Sequence, residues 1–170
     1  MSLIYSFPPI ASPASTVLVL GSMPGKASLK AQQYYAHPRN SFWFIIEQLF
    51  AVKAPVNYQE KKQLLLNNNV AVWDVLKACS REGSLDSSIQ RDSVVANDFD
   101  MFFDQYKNIT HVFFNGVTAE KEFIKHVMSL QQMKTRQLAF KRLPSTSPAH
   151  AAMNREQKLT EWRAIANRVI

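Results

Sequence analysis

Residue types that could carry chemistry gather where apolar runs of the sequence end. The first such run, TVLVL, leads into GSMPG at residues 21–25. A strand followed by a glycine-flanked turn can bring backbone N–H groups close to a phosphate or to a base carbonyl. The turn matches neither the P-loop nor the GxGxxG fingerprint, so a plain tight turn explains it about as well. Ser22, Met23, Pro24 and Gly25 are therefore candidate contacts for a ligand.

The segment QYYAHPRNSFW at residues 33–43 combines aromatic rings with an amide and contains no acid. A ring near a strand end can stack on a nucleic-acid base, which stabilises binding by about 1–3 kcal/mol per base. The amide of Asn40 can orient a water or read a base edge, but it cannot act as a general base. We assign Tyr35 and Asn40 to a site and the Phe-Trp pair to the core, with helix capping as the alternative role for Asn40.

Two further polar residues end apolar runs. Asp74 follows VAVW, and Asn115 follows VFF. A buried carboxylate is costly unless something pairs with it, so Asp74 either contacts a substrate or caps a neighbouring turn. Asn115 precedes Gly116, a pair that slightly favours a turn, although its position also makes it a candidate base contact.

The last candidate segment is KRLPSTSPAH at residues 141–150. Hydroxyls and backbone N–H groups are common phosphate contacts, and a proline-stiffened loop could wedge into a duplex. A Ser/Pro loop without function is the alternative, and a lone histidine is more often structural. The candidate DNA contacts are Arg142, Pro144, Ser145, Thr146, Ser147, Pro148 and His150, together with Lys26.

Strand-like and helix-like segments alternate along the chain. Four apolar runs predict strands at 16–21, 70–75, 110–116 and 136–143, and four helical patterns predict helices at 41–52, 58–69, 118–130 and 155–170. This alternation predicts an α/β fold whose parallel sheet is covered on both faces, with ligands bound at the carboxyl ends of the strands. Because neither repeats nor linkers occur, residues 1–170 are expected to form a single domain.

Composition narrows the class of protein. The chain has 170 residues, 46% of them hydrophobic, and a single cysteine, Cys79, which cannot form an internal disulfide. The Cys/His spacing resembles no zinc site, and the first residues lack the pattern of a signal peptide or a membrane span. We therefore expect a cytoplasmic protein without a metal.

The charge distribution favours a polyanionic partner. Lys and Arg outnumber Asp and Glu by 20 to 13, for a net charge of +7. No acid precedes Glu47, and none lies between Glu122 and Glu156. If these two acid-free segments meet in space, they form a positive face suited to nucleic acid. A chance gap in charge is the alternative.

The segments GSMPG, YYAHPRNSFW, WDVLKAC, VFFNG and LPSTSPA, taken together and in this order, resemble the uracil-DNA glycosylase superfamily and within it the hypoxanthine-DNA glycosylase branch. The resemblance extends from about Thr16 to Ala152. It implies a three-layer α/β/α sandwich around a short, mainly parallel four-stranded sheet. It also implies a repair enzyme that flips a deaminated base out of duplex DNA and hydrolyses its N-glycosidic bond without a metal. We expect a monomer without a cofactor, since nothing in the sequence demands a dimer.

Roles follow from the same resemblance. Met23, Pro24 and Gly25 lie in the first active-site motif, and Tyr35 takes the place of the ring that stacks on the flipped base. Asp74 falls near the position where relatives read the base edge. Residues 144–148 correspond to the second motif, which grips phosphates and fills the gap left by the base.

Two positions depart from the uracil-specific pattern. Met23 stands where many relatives have Asp or Asn, and Leu143 stands where many have His or Asn. The hypoxanthine branch shares the first loss and relies on an Asn that matches Asn40, so Asn40 is the predicted catalytic residue and hypoxanthine the predicted base. A DNA-damage reader without catalysis and a hydrolase of free nucleosides are the alternative functions.

Overall fold

The computed structural model describes residues 2–53 and 57–169, which form a four-stranded parallel sheet between layers of helices. In chain order the elements are β1 (Leu3–Tyr5), β2 (Val17–Gly21), α1 (Lys26–Ala31), α2 (Phe42–Leu49), α3 (Tyr58–Asn67), β3 (Val70–Asp74), β4 (Leu76–Ser80), β5 (Val95–Ala96), α4 (Phe99–Gln105), β6 (His111–Asn115), α5 (Val117–His126), β7 (Ala139–Leu143) and α6 (Arg155–Val169). The main sheet has the order β3-β2-β6-β7, and each neighbouring pair is parallel.

The interior position of β2 explains its uninterrupted apolar sequence. All five of its residues are buried, and Val19 is in register with Val72 on one side and Phe113 on the other. A parallel strand covered on both faces has no solvent side, so it carries no polar alternation. The prediction of four strands in one parallel sheet is confirmed.

Helices cover both faces of the sheet and produce three layers. Leu18 and Leu20 belong to one apolar cluster with Phe123 of α5. Val17 and Val19 belong to a second cluster, which holds Phe42 of α2, Ile46 of α2 and Trp162 of α6. Alternate residues of one strand thus face opposite layers, and the predicted α/β/α sandwich is confirmed.

Some predicted boundaries differ from the structure. The fourth strand, β7, begins at Ala139 rather than at 136, after a 3-10 turn at Gln131–Thr135, and its first four residues are exposed because it is an edge strand. The first helix pattern, 41–52, becomes α2 and ends at Leu49, and α5 ends at His126 rather than at 130. The helix predicted for 155–170 is α6, whose last predicted residue lies outside the described part.

A second, antiparallel sheet was not predicted. It has the order β1-β4-β5, and a single residue, Val75, separates the end of β3 from the start of β4. The chain leaves the main sheet at Val75, whose N–H donates to the carbonyl of Gly21 at 2.9 Å. This sheet matters for the site because the loop that follows β4 returns to the carboxyl end of β2. The short helices α1 and α4 were not predicted either.

Candidate active site

The carboxyl ends of β2, β3 and β6 open into a cavity of about 400 Å³, closed on one side by the loop after β7. This volume lies within the range of small-molecule sites. All four segments singled out in the sequence contribute to the lining. The predicted site residues that line it are Ser22, Met23, Pro24, Gly25, Lys26, Tyr35, Asn40, Asp74, Asn115, Ser145, Thr146, Ser147, Pro148 and His150.

Two predicted residues lie outside the cavity. Arg142 sits on β7 and donates to Glu120 at 3.0 Å. The carbonyl of Pro144 accepts a hydrogen bond of 2.9 Å from the indole nitrogen of Trp162. Neither residue lines the pocket, so a DNA contact for either would have to lie on the surface around it.

Gly21 provides the floor of the pocket. A Cβ atom at this position would lie 2.4 Å from Oδ1 of Asp74 and 3.0 Å from the hydroxyl of Tyr35. Two polar groups therefore occupy the space above the Gly21 backbone that a side chain would take. The glycine is required here for space, since its φ is not in the left-handed region.

Asp74 ends β3 beside Gly21 and carries the most unusual carboxyl group of the pocket. The residue is only 3% exposed, and its Oδ2 has no hydrogen-bond partner among the described residues. Burial raises the pKa of Asp74 to about 7; the nearby Asp86 carboxylate adds to the rise and the Arg81 guanidinium opposes it. A substantial fraction of Asp74 is therefore protonated at neutral pH.

Tyr35 is held in a strained backbone conformation. Its φ of 55° is in the left-handed region, which is uncommon for a residue with a side chain and typical of functional sites. Its ring stacks on Phe42 with centroids 4.0 Å apart and planes 27° apart. Burial and the Asp74 carboxylate raise the pKa of the phenol, so the hydroxyl stays protonated.

Asn40 occupies the pocket wall just before α2. Its Oδ1 accepts a hydrogen bond of 3.0 Å from the N–H of Phe42, and its backbone N–H donates to the carbonyl of His37 at 2.8 Å. The capping alternative is thus present in the structure. A carbonyl oxygen has a second lone pair, so the cap leaves Oδ1 able to accept from a water in the pocket while fixing its direction.

Asn115 ties two parts of the pocket together. Its Nδ2 donates to Oγ1 of Thr146 at 2.9 Å, and its Oδ1 accepts from the N–H of Thr146 at 2.9 Å. The hydroxyl-rich loop is fixed further where the N–H of Ser41 donates to the carbonyl of Thr146 at 3.0 Å. This last bond joins the two acid-free segments directly, which is the condition that the sequence set for a positive face.

The positive face is smaller than the lysine and arginine count indicated. Arg136 pairs with Asp104 and Arg142 with Glu120, while the Arg155 guanidinium lies 4.8 Å from the ring centroid of Phe44. Lys26 is exposed at the pocket rim. Acids are also present in the pocket, because Asp74 and Asp86 line it.

The sequence did not predict the role of the loop after β4, which is hydrogen-bonded to residues of the first motif and its flanks. The Arg81 guanidinium is fully buried and donates to the carbonyls of Pro24 and, at 3.3 Å, Gly83. Asp86 accepts from Ser22 Oγ at 2.9 Å, and Ser84 Oγ accepts from the N–H of Lys26 at 2.9 Å. The sequence REGSLDSS is typical of a solvated turn, and no signal in it marked these residues. His37, at the rim, was also missed.

The described residues contain neither a membrane-spanning helix nor a candidate metal-binding cluster. No helix between residues 2–53 or 57–169 has both the length and the apolar character needed to cross a membrane. In the same ranges, no cluster of three or more His, Cys, Asp or Glu side chains could hold a metal ion.

A parallel sheet whose strand ends open into a base-sized pocket, beside a Ser/Pro loop and a rim lysine, is the arrangement expected of a glycosylase that acts on extruded DNA bases. Residues 8–170 match the family model described as the Uracil DNA glycosylase superfamily. The chain belongs to this superfamily.

Relatives support this membership over nearly the whole chain. A protein named hypoxanthine DNA glycosylase from Methanosarcina acetivorans is 32% identical over 161 residues, covering 94% of this chain and 95% of the relative. One of the same name from Methanosarcina barkeri is 37% identical over 111 residues, covering 65% and 69%. A solution NMR structure of a candidate uracil DNA glycosylase from M. acetivorans matches with a TM-score of 0.80 and 30% identity, over 99% of each chain.

Replacing Gly21 by Ala should destabilise the fold, because the new methyl group would displace the Asp74 carboxyl. We expect a loss of about 1–3 kcal/mol in the free energy of unfolding, as for other overpacked sites. Urea unfolding of Gly21→Ala measures this loss. Gly25→Ala is the matched control, since the nearest atoms to its Cβ would lie at an ordinary 3.5 Å. Equal stability of the two variants would contradict the space requirement at Gly21.

The raised pKa of Asp74 also predicts how stability varies with pH. The folded state holds a proton on Asp74 up to about pH 7, whereas the unfolded chain releases it near pH 3.9. The stability that this proton contributes is fully present below pH 4 and is lost as the pH rises to 7, by at most about 1.4 kcal/mol per pH unit. In urea unfolding from pH 4 to 8, the free energy of unfolding of Asp74→Asn should increase relative to that of the wild type as the pH rises. A constant difference between the two proteins would show that Asp74 titrates normally.

Proposed function

We propose that this protein excises hypoxanthine from DNA, as a monofunctional and metal-independent glycosylase that hydrolyses the bond between the base and deoxyribose. The observation that carries the proposal is the pocket, in which the Asn40 amide and the stacked Tyr35 ring line one cavity. The names of the M. acetivorans and M. barkeri relatives support hypoxanthine as the base.

Entry of the base requires extrusion from the duplex, which costs a few kcal/mol and least for a damaged or mismatched pair. The loop from Ser145 to Pro148 stands at the pocket mouth, and Asn115 and Trp162 fix it on both sides. A loop held this firmly can fill the gap that the extruded base leaves. Lys26 is placed to neutralise a phosphate of the strand that enters.

Cleavage breaks the bond between C1′ of the sugar and N9 of the base. The bonding electrons leave with the base, and positive charge develops on the sugar until water adds to C1′. Asn40 holds that water through Oδ1, whose direction is fixed by the N–H of Phe42. Positioning of this kind lowers the barrier without a strong base. The products are free hypoxanthine and an abasic site.

Met23 supports the choice of hypoxanthine over uracil. By the resemblance described above, its position holds Asp or Asn in many uracil-excising relatives, and here it carries an apolar side chain that is 7% exposed. Leu143, the second altered position, is 1% exposed and belongs to the core. Asn115 also lines the pocket, but both polar atoms of its amide bond to Thr146. Asn40 is therefore the lining amide that remains available to hold the water.

Asn40→Ala should lower the rate of inosine excision about 100- to 1000-fold, by loss of the positioned water. The assay uses labelled duplexes that carry one inosine, uracil or xanthine, followed by alkali to break the strand at abasic sites. Ser41→Ala is the matched control, because Ser41 makes no side-chain cap. The lost cap at Asn40 costs about 1 kcal/mol, so the variant should remain folded.

The outcomes of this assay separate the alternatives. Near-normal excision by folded Asn40→Ala would rule out the proposed role of Asn40. Strand breaks chiefly at uracil would show that the assigned base is wrong. Tight binding of the inosine duplex without any break by the wild type would favour a damage reader that does not catalyse. Equal activity on free inosine would favour a nucleoside hydrolase.

Lys26→Gln should weaken binding to all duplexes, damaged or not, and reduce the slope of log K against log salt by about one. The reason is that Lys26 is expected to contact a phosphate rather than a base. Fluorescence anisotropy at several salt concentrations measures the slope. Lys107→Gln is the control, since Lys107 precedes β6 and thus lies at the amino ends of the strands, whereas the pocket lies at their carboxyl ends. An unchanged slope in Lys26→Gln would show that Lys26 does not contact a phosphate of the bound DNA.

A further inference from the structure

The proposed reaction leaves one chemical requirement that Asn40 does not meet. A purine that departs with the bonding electrons is a poor leaving group unless its ring gains a proton. An amide cannot supply that proton. The pocket must therefore contain a group that is protonated at neutral pH and faces the base.

We propose that Asp74 is the general acid of this pocket and delivers the proton of its carboxyl group to N7 of the departing hypoxanthine, an inference that rests on the proposed function. Protonation at N7 places positive charge in the five-membered ring that contains N9. The bond from N9 to the sugar then breaks more easily. The role assigns Asp74 to catalysis, beyond reading the base edge.

The placement of Asp74 favours this role. Its backbone is fixed on both sides, because its carbonyl accepts from Nδ2 of Asn97 at 2.8 Å and its strand is in register with Gly21. The residue is only 3% exposed, so its carboxyl group lies inside the pocket. Its Oδ2 is buried without a protein partner, and an unpaired buried oxygen costs about 1–3 kcal/mol. A ligand atom that accepts its proton removes that cost.

Burial is the main reason that the pKa of Asp74 is raised, and the charges around it have smaller effects. Asp86 faces it from the loop after β4 and disfavours its ionisation, while the buried Arg81 guanidinium acts in the opposite direction more weakly. The phenols of Tyr34 and Tyr35 also face it, and both have raised pKa values, so neither carries charge near neutrality. Lys26, His37 and His150 stand farther out at the rim of the cavity.

The step balances as follows. The O–H bond of the Asp74 carboxyl breaks, and its proton forms an N–H bond at N7. The electron pair of the bond from C1′ to N9 passes to the base, which leaves as neutral hypoxanthine with its proton at N7. Water adds to C1′ and releases one proton to solvent. The Asp74 carboxylate regains a proton from solvent before the next turnover.

This assignment carries a specificity consequence. A pyrimidine has no N7, so Asp74 cannot assist the departure of uracil in the same way. The general acid would then favour a deaminated purine over a deaminated pyrimidine by chemistry as well as by fit. General acid catalysis contributes about 10²- to 10⁴-fold to a rate, and the preference for inosine over uracil should fall in the same range.

The test measures single-turnover excision from duplexes that carry either inosine or 7-deazainosine, which has carbon in place of N7. For the wild type on inosine, the rate should fall about tenfold per pH unit above pH 7, as the required proton is lost. Asp74→Asn should be about 10²- to 10⁴-fold slower on inosine and lack this decline. On 7-deazainosine the wild type should be slowed to a comparable degree, and Asp74→Asn should be no slower than the wild type.

Two additional readouts distinguish an acid from a structural residue. Asp86→Asn removes the negative charge that disfavours ionisation of Asp74, so the pH decline should move to lower pH while the acid remains. The His37→Gln/His150→Gln double variant should retain the decline, because it removes the imidazoles that line the pocket and keeps the Asp74 carboxyl. If Asp74→Asn does not fold, the comparison of the two duplexes with the wild type still decides the question.

The results that overturn the proposal are distinct. Equal wild-type rates on inosine and 7-deazainosine, or a flat profile above pH 7, would overturn the role of Asp74 alone and leave the glycosylase intact. A decline that does not move in Asp86→Asn would also overturn it. No excision of inosine by the wild type at any pH would overturn the proposed function and the general acid together.

Discussion

The space above Gly21 is the constraint on which the pocket depends. Gly21 ends β2, an interior strand of the sheet, between Asp74 on β3 and the next interior strand, β6. The carboxyl group of Asp74 and the hydroxyl of Tyr35 occupy the place of the missing side chain. Because Gly21 has no side chain, polar groups can form the floor of the cavity, although β2, the strand beneath them, is fully apolar. Tyr35, whose φ is positive, is part of the same arrangement, because its hydroxyl reaches the end of β2.

Around this floor, the fold uses buried polar contacts to fix loops that have few apolar side chains. The Arg81 guanidinium donates to the carbonyl of Pro24 in the first motif, and Asn115 is hydrogen-bonded to Thr146. The side-chain oxygen of Asn40 is held in one direction by the N–H of Phe42 at the start of α2. Each contact joins segments that are distant in sequence or sets the direction of a polar atom. Such pre-positioned groups do not have to reorganise during a reaction, which is the physical basis of catalysis by electrostatic stabilisation.

The sequence predicted what depends on local pattern and left out what depends on tertiary pairing. The run VLVLG predicts an interior strand because it has no polar alternation and hence no solvent face. The polar segments that could form a site follow predicted strands or precede predicted helices, as GSMPG, QYYAHPRNSFW and STSPAH do. By contrast, LKACS gives no sign that it joins a second sheet only two residues after Asp74. Arg81 was missed because a buried guanidinium is recognisable only once its partners are in place. The protonation of Asp74 was missed for the same reason, since it depends on burial and on Asp86.

The contacts of α6 tie the loop at the pocket mouth to a helix that does not line the cavity. The indole of Trp162 donates to the carbonyl of Pro144, and the Lys158 ammonium donates to the carbonyl of Ser147 at 3.2 Å. Asn115 and Ser41 hold Thr146 of the same loop from the side of the sheet and α2. Loss of α6 would therefore free the loop on one side only, and the ability to hold open a duplex would be damaged while the pocket floor stayed in place.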